Sequence, residues 1–277
     1  MAIQERSNRK AEITPFLKWA GGKRWLRRTF SDQFPSSIET YCEPFLGGAA
    51  VFFSLHPMRG HLSDSNAELI NSYKAIKRDW RSVWRMLQEH SRLHGNDYYY
   101  HIRGEMPSNS IERAARFLYL NRTCWNGLYR VNLKGEFNVP RGTKDLVLLP
   151  TDNFAEISKR LANFSLACCD FEATIEKMSR RDFVYIDPPY TVKHNNNGFL
   201  KYNERIFSWS DQERLAVAVD RAASRGAKIL ISQADHSSIR ELYRNIGSCS
   251  AVRRSSVIAA SPSRRGSVSE LLIRVNY

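Results

Sequence analysis

The residues best equipped for chemistry form one short stretch, Asp187-Pro188-Pro189-Tyr190, directly behind the apolar run Phe183-Val184-Tyr185-Ile186. The run predicts a buried strand, and two successive prolines end it because neither can donate to a ladder. The strand would deliver a carboxylate, a stiff turn with outward carbonyls and an aromatic ring to one sheet edge. An amino group on a flat ring suits this set. Asp187 and the Pro188 carbonyl can each accept one amino N–H, and Tyr190 can stack on the ring. The plain alternative is a proline turn capped by its Asp.

Two further sets have the makings of a small-molecule site. Gly47-Gly48 follows the run Thr40–Phe45, and Asp64 ends the run that starts at Gly60, ~16 residues beyond the glycines. That is close to the ~20 expected when a glycine turn and a ribose-binding acid face one crevice. Trp19 and Lys23 flank Gly21-Gly22, and an indole and an ammonium could touch an adenosine and a carboxylate. Each has a structural alternative: a packing turn, an Asp-Ser-Asn helix cap, a core tryptophan, a solvated lysine.

The elements that must position these residues follow from hydrophobic spacing. A strand at Thr40–Phe45, a helix at Val51–Leu55, a strand at Gly60–Asp64 and a helix at Asn66–Lys77, with Leu69, Ile70, Tyr73 and Ile76 on one face, make a βαβ unit. From Asp79 to Pro150 the pattern changes. Trp80, Trp84, Leu87 and Leu93 suggest a helix, Ile111–Leu120 another, and Lys134-Gly135 between Val131/Leu133 and Phe137/Val139 reads as a hairpin tip. Strands resume at Asn163–Cys168 and Phe183–Ile186. Thr191–Tyr202, with Asn195-Asn196-Asn197-Gly198, reads as a loop. A helix at Asp211–Ala223 with Gly226 past its end precedes strands at Lys228–Ser232, Ser250–Arg254 and Glu270–Asn276. The expected organisation is an α/β core in two parts, 1–78 and 151–277, around an insert at 79–150.

Composition narrows the partners. The chain has 277 residues, with 42 Lys plus Arg against 28 Asp plus Glu, a net charge of +14 and a pI near 9.7. That excess suits a polyanion, nucleic acid first. Cys42, Cys124, Cys168, Cys169 and Cys249 include no C-x-x-C pair, so neither a zinc site nor a disulfide framework is expected. A reducing, cytoplasmic setting follows. Met1–Glu12 lacks the apolar region of a signal peptide, Met1–Lys10 reads as a loose tail, and no run reaches the ~18 apolar residues of a membrane helix.

Lys18-Trp19-Ala20-Gly21-Gly22-Lys23, Glu43-Pro44-Phe45-Leu46-Gly47-Gly48-Ala49, Asp64-Ser65-Asn66, Asp170-Phe171 and Asp187-Pro188-Pro189-Tyr190 occur in one order. Asn121-Arg122, Asn126-Gly127-Leu128-Tyr129-Arg130 and Gly135-Glu136-Phe137-Asn138-Val139-Pro140 lie between them, and Arg253-Arg254-Ser255, Arg264 and Glu270-Leu271-Leu272 close the chain. In these blocks the chain resembles the Dam-type, D12-class, site-specific DNA adenine-N6 methyltransferases. The resemblance implies a Rossmann-like methyltransferase sheet with an inserted helical and β-hairpin target-recognition domain. It implies S-adenosylmethionine as cofactor, duplex DNA as substrate and no metal. Trp19, Lys23, Phe45, Gly47, Gly48, Asp64, Phe171 and Asp187 would line the cofactor site. Asp187, Pro188 and Tyr190 would act on the target base, which must leave the stack to be reached. Arg130 falls at the family's guanine-reading arginine, making GATC the expected site. Asn126 and Asn132 are further polar DNA contacts, and Leu128 and Tyr129 are wedges. Arg122, Lys134, Arg141 and Lys144 would hold phosphates, and so would Arg254 and Arg264 in the tail. The chain departs from the family pattern at Arg141-Gly142-Thr143-Lys144-Asp145 and between Arg254 and Arg264.

The rival readings are the same chemistry on cytosine N4, a catalytically inactive DNA-binding regulator and an RNA substrate. The expected location is the cytoplasm, on the nucleoid through DNA. No membrane and no obligatory protein partner are expected, with a cognate restriction endonuclease the one partner left open.

Overall fold

A computed structural model describes residues 13–132, 134–193, 207–255 and 267–277. Its contacts divide the chain into two units, one of residues 1–29, 46–56 and 66–168, the other of 30–45, 57–65 and 169–277.

The second unit is built on strands β1 (Thr40–Glu43), β2 (Gly60–Asp64), β4 (Asp182–Ile186), β5 (Lys228–Ala234), β6 (Ser248–Ser255) and β7 (Ser267–Val275). They run side by side in the order β2-β1-β4-β5-β7-β6. β2, β1, β4 and β5 are parallel, whereas β7 is antiparallel to both β5 and β6. Register pairs Tyr41 with Gly60 and Phe183, Phe183 with Lys228, and Ile231 with Ile273. The expected α/β class and mainly parallel sheet are borne out.

Alternation along β4 sends Val184 and Ile186 into an apolar cluster with Ile229, Ile231, Leu271 and Ile273. Phe183 meets Phe34, Tyr41 and Tyr277 instead. The first layer is covered by α7 (Phe171–Ile175), α8 (Trp209–Ser224) and α9 (Ser237–Leu242). α8 begins at a capping box, in which Ser208 Oγ accepts from the Asp211 N–H at 3.2 Å and Asp211 Oδ2 accepts from the Ser208 N–H at 2.8 Å. Leu215, Ala218, Val219 and Ala222 make its buried stripe, and Gly226, at φ +88°, ends the turn.

The first unit is mostly helical: α1 (Arg24–Thr29), α2 (Ala50–Leu55), α3 (Ala67–Leu93), α4 (Asn96–Gly104), α5 (Ser110–Thr123) and α6 (Phe154–Leu161), with one short strand, β3 (Phe164–Cys168). α3 buries Leu69, Ile70, Tyr73 and Ile76 and then Val83 and Leu87, but it breaks at Asp79 (φ −151°, ψ 71°). Asp79 Oδ1 accepts from the Ser82 N–H at 3.1 Å and so restarts the helix. The expected boundary at 78/79 falls at this break, but the unit runs through it: 66–78 and 151–168 belong to the same unit as 79–150. Phe16, Tyr73, Trp84 and Phe154 pack edge to face at its centre. No described helix is long and apolar enough to cross a membrane.

Candidate functional site

In the second unit, strand order puts three carboxylates at the same sheet edge. Glu43 and Asp64 are the last residues of β1 and β2, and Asp187 directly follows β4. These strands are adjacent and parallel, so all three acids stand at carboxyl ends, where α/β sheets bind ligands. Asp187 is half-buried and Pro188 buried. Glu43 is 3% exposed and accepts from the Tyr41 hydroxyl at 2.8 Å. Burial, then the Glu43 charge, holds the Tyr41 phenol well above its ordinary value.

Asp64 does not cap α3. Asn66 does, accepting from the Leu69 N–H at 3.1 Å. The Asp64 backbone carbonyl accepts from the Cys169 N–H at 3.2 Å, tying the end of β2 to the start of the Asp170-Phe171 turn. Phe171 stacks on Phe45 with ring centroids 5.4 Å apart, and Phe207 meets both edge-on. Arg214 of α8 lies over the Phe171 ring at 5.0 Å and donates to Asp170 at 3.0 Å.

The segment after Asp187 is tethered at several points. Tyr190 donates its hydroxyl to Glu270 Oε2 at 3.1 Å. Burial, the Asp187 charge and the Glu270 charge, in that order, push its phenol well above the ordinary range, so it donates at neutral pH. The Thr191 hydroxyl donates to the Phe207 carbonyl at 2.6 Å, and Gln212 donates to the Thr191 carbonyl at 3.3 Å. Gln233, also fully buried, donates back to Gln212 at 2.8 Å. Sequence reasoning missed Glu270, Glu43 and Arg214 as site residues. The signal for Glu270 was present: an acid opening the apolar run Leu271-Leu272-Ile273 can be buried only with a partner.

In the first unit, Gly47 has φ +46°, and a Cβ there would come within 2.7 Å of Trp19 Cδ1. A Cβ on Gly48 would come within 3.1 Å of Trp19 Cβ. The glycine turn thus exists at least to admit the indole, and Tyr73 fixes it by donating to the Gly47 carbonyl at 3.0 Å. Trp19 is half-buried and stacks on Tyr129, with centroids 5.9 Å apart and planes at 24°. Lys23 is not a solvated lysine. It is 3% exposed and donates to the Gly21 carbonyl at 2.9 Å.

The hairpin forms where the sequence places it. Asn132 N–H donates to the Glu136 carbonyl at 2.8 Å, Asn138 N–H to the Arg130 carbonyl at 3.2 Å, and Val131 bridges Phe137. Lys134 and Gly135 are exposed at the tip, Gly135 at φ +79°. Arg130 is exposed, and its Nε donates to Asn138 Oδ1 at 2.9 Å, which orients the guanidinium. Asn126 is exposed on a left-handed backbone (φ 55°), and Leu128 is 41% exposed.

One expected DNA contact is corrected. Arg122 does not hold phosphate: it is fully buried, in a two-pronged ion pair with Asp152 at 2.7 Å for each prong, and donates to the Phe16 and Val147 carbonyls. Asn132 builds the turn. Its Oδ1 accepts from the Lys134 and Glu136 N–H groups, and its amide donates to Glu136 Oε2 at 2.8 Å. The Tyr129 ring lies among Trp19, Phe117 and Phe137. Arg141 is half-buried and ion-paired with Asp145. Lys144 is exposed. Arg264 lies outside the described residues, as do the Arg254 side chain, Leu133, the Met1–Lys10 tail and the Asn195–Gly198 segment.

The model of a family described as D12 class N6 adenine-specific DNA methyltransferase matches residues 19–257. The chain is 36% identical over 279 residues to a type II methyltransferase, M1.LlaDCHI, of Lactococcus lactis subsp. cremoris, covering 97% of each chain. It is 35% identical to the type II methyltransferase M.MjaIII of Methanocaldococcus jannaschii, covering 96% of this chain and 100% of that one. It is 33% identical to the DNA adenine methylase of Haemophilus influenzae, covering 95% and 94%.

Proposed function

The chain belongs to the D12 class of N6 adenine-specific DNA methyltransferases, and on that premise we propose that it transfers methyl from S-adenosylmethionine to a flipped-out adenine in duplex GATC. One observation carries the reading: Asp187 stands at the carboxyl end of β4, with a buried Pro188 behind it and Tyr190 held in place at the same edge.

The donor set suits the cofactor. Asp64 offers two carboxylate oxygens to a ribose diol, and the stacked rings of Phe45 and Phe171 offer an apolar surface to adenine. Trp19, Lys23, Gly47 and Gly48 are assigned to cofactor binding from the match of their blocks to the family. When bound, S-adenosylmethionine supplies an electrophilic methyl group.

The chain's own residues then have three tasks. Asp187 and the Pro188 carbonyl accept the two hydrogens of the adenine amino group. The amino nitrogen is a poor nucleophile because its lone pair is conjugated into the ring, and two acceptors favour the tetrahedral form that frees it. Positioning and fixed charge provide most of the acceleration, with no covalent enzyme intermediate. The Asp187 carboxylate can also take the proton that the methylated nitrogen sheds. Tyr190 stacks on the extruded base and offsets part of the few kcal/mol that flipping costs.

Residues 79–150 act as the target-recognition region. Arg130, oriented by Asn138, reads guanine, and Lys134 at the hairpin tip holds phosphate. The net charge of +14 supplies the sequence-independent part of the affinity.

The test is transfer of labelled methyl to duplexes containing GATC or its one-base variants. The native protein should label adenine in GATC alone, and Asp187→Ala should lose at least ~10³-fold in rate while still binding duplex. Label on cytosine, or an active Asp187→Ala, would refute the assignment.

A further inference from the structure

Glu270 is 1% exposed on β7, between Ala234 of β5 and Val252 of β6. A carboxylate at such a position is retained only where hydrogen bonds hold it. Among its partners is the hydroxyl of Tyr190, across 80 residues of chain. The backbone beside Tyr190 has anchors of its own: Thr191 is fixed by the Phe207 carbonyl and by Gln212. The bond to Glu270 is therefore not needed to place the turn. What it fixes is the tip of one ring, and so the direction in which that ring points.

We propose that Glu270 is a positioning residue for methyl transfer, pinning the Tyr190 ring through its hydroxyl so that one face stands ready for the extruded adenine. This rests on the function proposed above. A tyrosine anchored at its tip points in one direction before the base arrives, so less ordering is required during flipping. Phenylalanine at 190 could still stack but would lose the tip anchor, whereas the Tyr190 hydroxyl keeps it. Its phenol stays protonated at neutral pH, held up by burial and by two nearby carboxylates, so the donor is present throughout the working range. In this role Glu270 acts through Tyr190 and is not itself a catalytic residue.

The experiment is a double-mutant cycle on the full chain with Tyr190→Phe, Glu270→Leu and the pair, plus Glu270→Gln, which keeps an acceptor oxygen. Two readouts are single-turnover methylation and the emission of a duplex carrying 2-aminopurine at the target adenine, which stacking quenches. Tyr190→Phe and Glu270→Leu should each slow transfer about tenfold, the scale of a lost charge-assisted hydrogen bond, and the pair should be no slower than either alone. Both single variants should leave the 2-aminopurine complex brighter than the native one, and Glu270→Gln should restore most of the rate.

Losses that multiply to about a hundredfold in the pair would show Glu270 acting independently of Tyr190 and overturn the proposal. A Tyr190→Phe variant with native rate and native quenching would overturn it alone, even if Glu270→Leu fails to fold. If the native protein methylates no adenine in any duplex, the functional reading falls and this proposal with it.

Discussion

The carboxyl edge of the parallel strands and the stretch from Asn121 to Arg141 hold their polar side chains in opposite ways. At the strand edge, the ladders of β2, β1 and β4 already satisfy the backbone. Glu43, Asp64 and Asp187 can therefore be presented at strand ends. In the stretch from Asn121 to Arg141 side chains are instead engaged by backbone groups, of the stretch itself and of neighbouring segments. Asn121 brackets the Lys18 peptide, accepting at 2.9 Å and donating at 2.8 Å. Arg122 supplies three carbonyl and carboxylate partners, and Asn132 closes the hairpin. A sheet edge can place acids at strand ends without using them on its own ladders, whereas a short hairpin uses part of its own polar set to hold its turn.

The sharpest break of that contrast is Arg122→Ala. It would leave Asp152 buried and unpaired, and the destabilisation expected is about 3–5 kcal/mol, read as a lowered urea midpoint. Arg130→Ala should leave the midpoint where it is. An Arg122→Ala protein as stable as the native one, but weaker on DNA, would return Arg122 to the phosphate contacts.

Arg130→Ala should instead reduce discrimination between GATC and a one-base variant by about 1–3 kcal/mol, the value of a bidentate arginine–guanine pair. Equal weakening on every duplex would make it a backbone contact. Asn132→Ala removes the acceptor of two N–H groups and should cost about 1 kcal/mol locally, seen as faster hydrogen exchange at Lys134 and Glu136. Unchanged exchange would mean that the turn does not depend on the side chain. The smallest effect expected is from Lys134→Ala, which should lower the slope of log affinity against log salt by about 1 and leave specificity alone.

The same contrast explains what could be read from sequence. The strands around Gly47-Gly48, Asp64 and Asp187 are legible because short runs rich in apolar residues, ended by glycine, acid or proline, have few other ways to fold. α8 was legible from its stripe and from Gly226. α4 is not legible, since Tyr98-Tyr99-Tyr100 has no helical spacing of its own and is held by packing; Tyr99, for example, donates to the Val139 carbonyl at 2.9 Å, whereas α6 does carry a signal, Phe154, Ile157 and Leu161 at helical spacing behind Asn153. Arg122 looked like any basic residue of a DNA-reading segment. Its burial depends on Asp152, thirty positions away, a pairing that only the fold creates. Glu270 was quoted as part of a matching block but given no task, because its partner lies on another element.

The most direct measurement is methylome sequencing of DNA from cells that express this chain, beside cells that express Asp187→Ala. N6-methyladenine confined to GATC in the first and absent from the second is the expected result. A genome without new N6-methyladenine, or one equally modified by Asp187→Ala, would contradict the assignment of Asp187-Pro188-Pro189-Tyr190 as the site of adenine methylation.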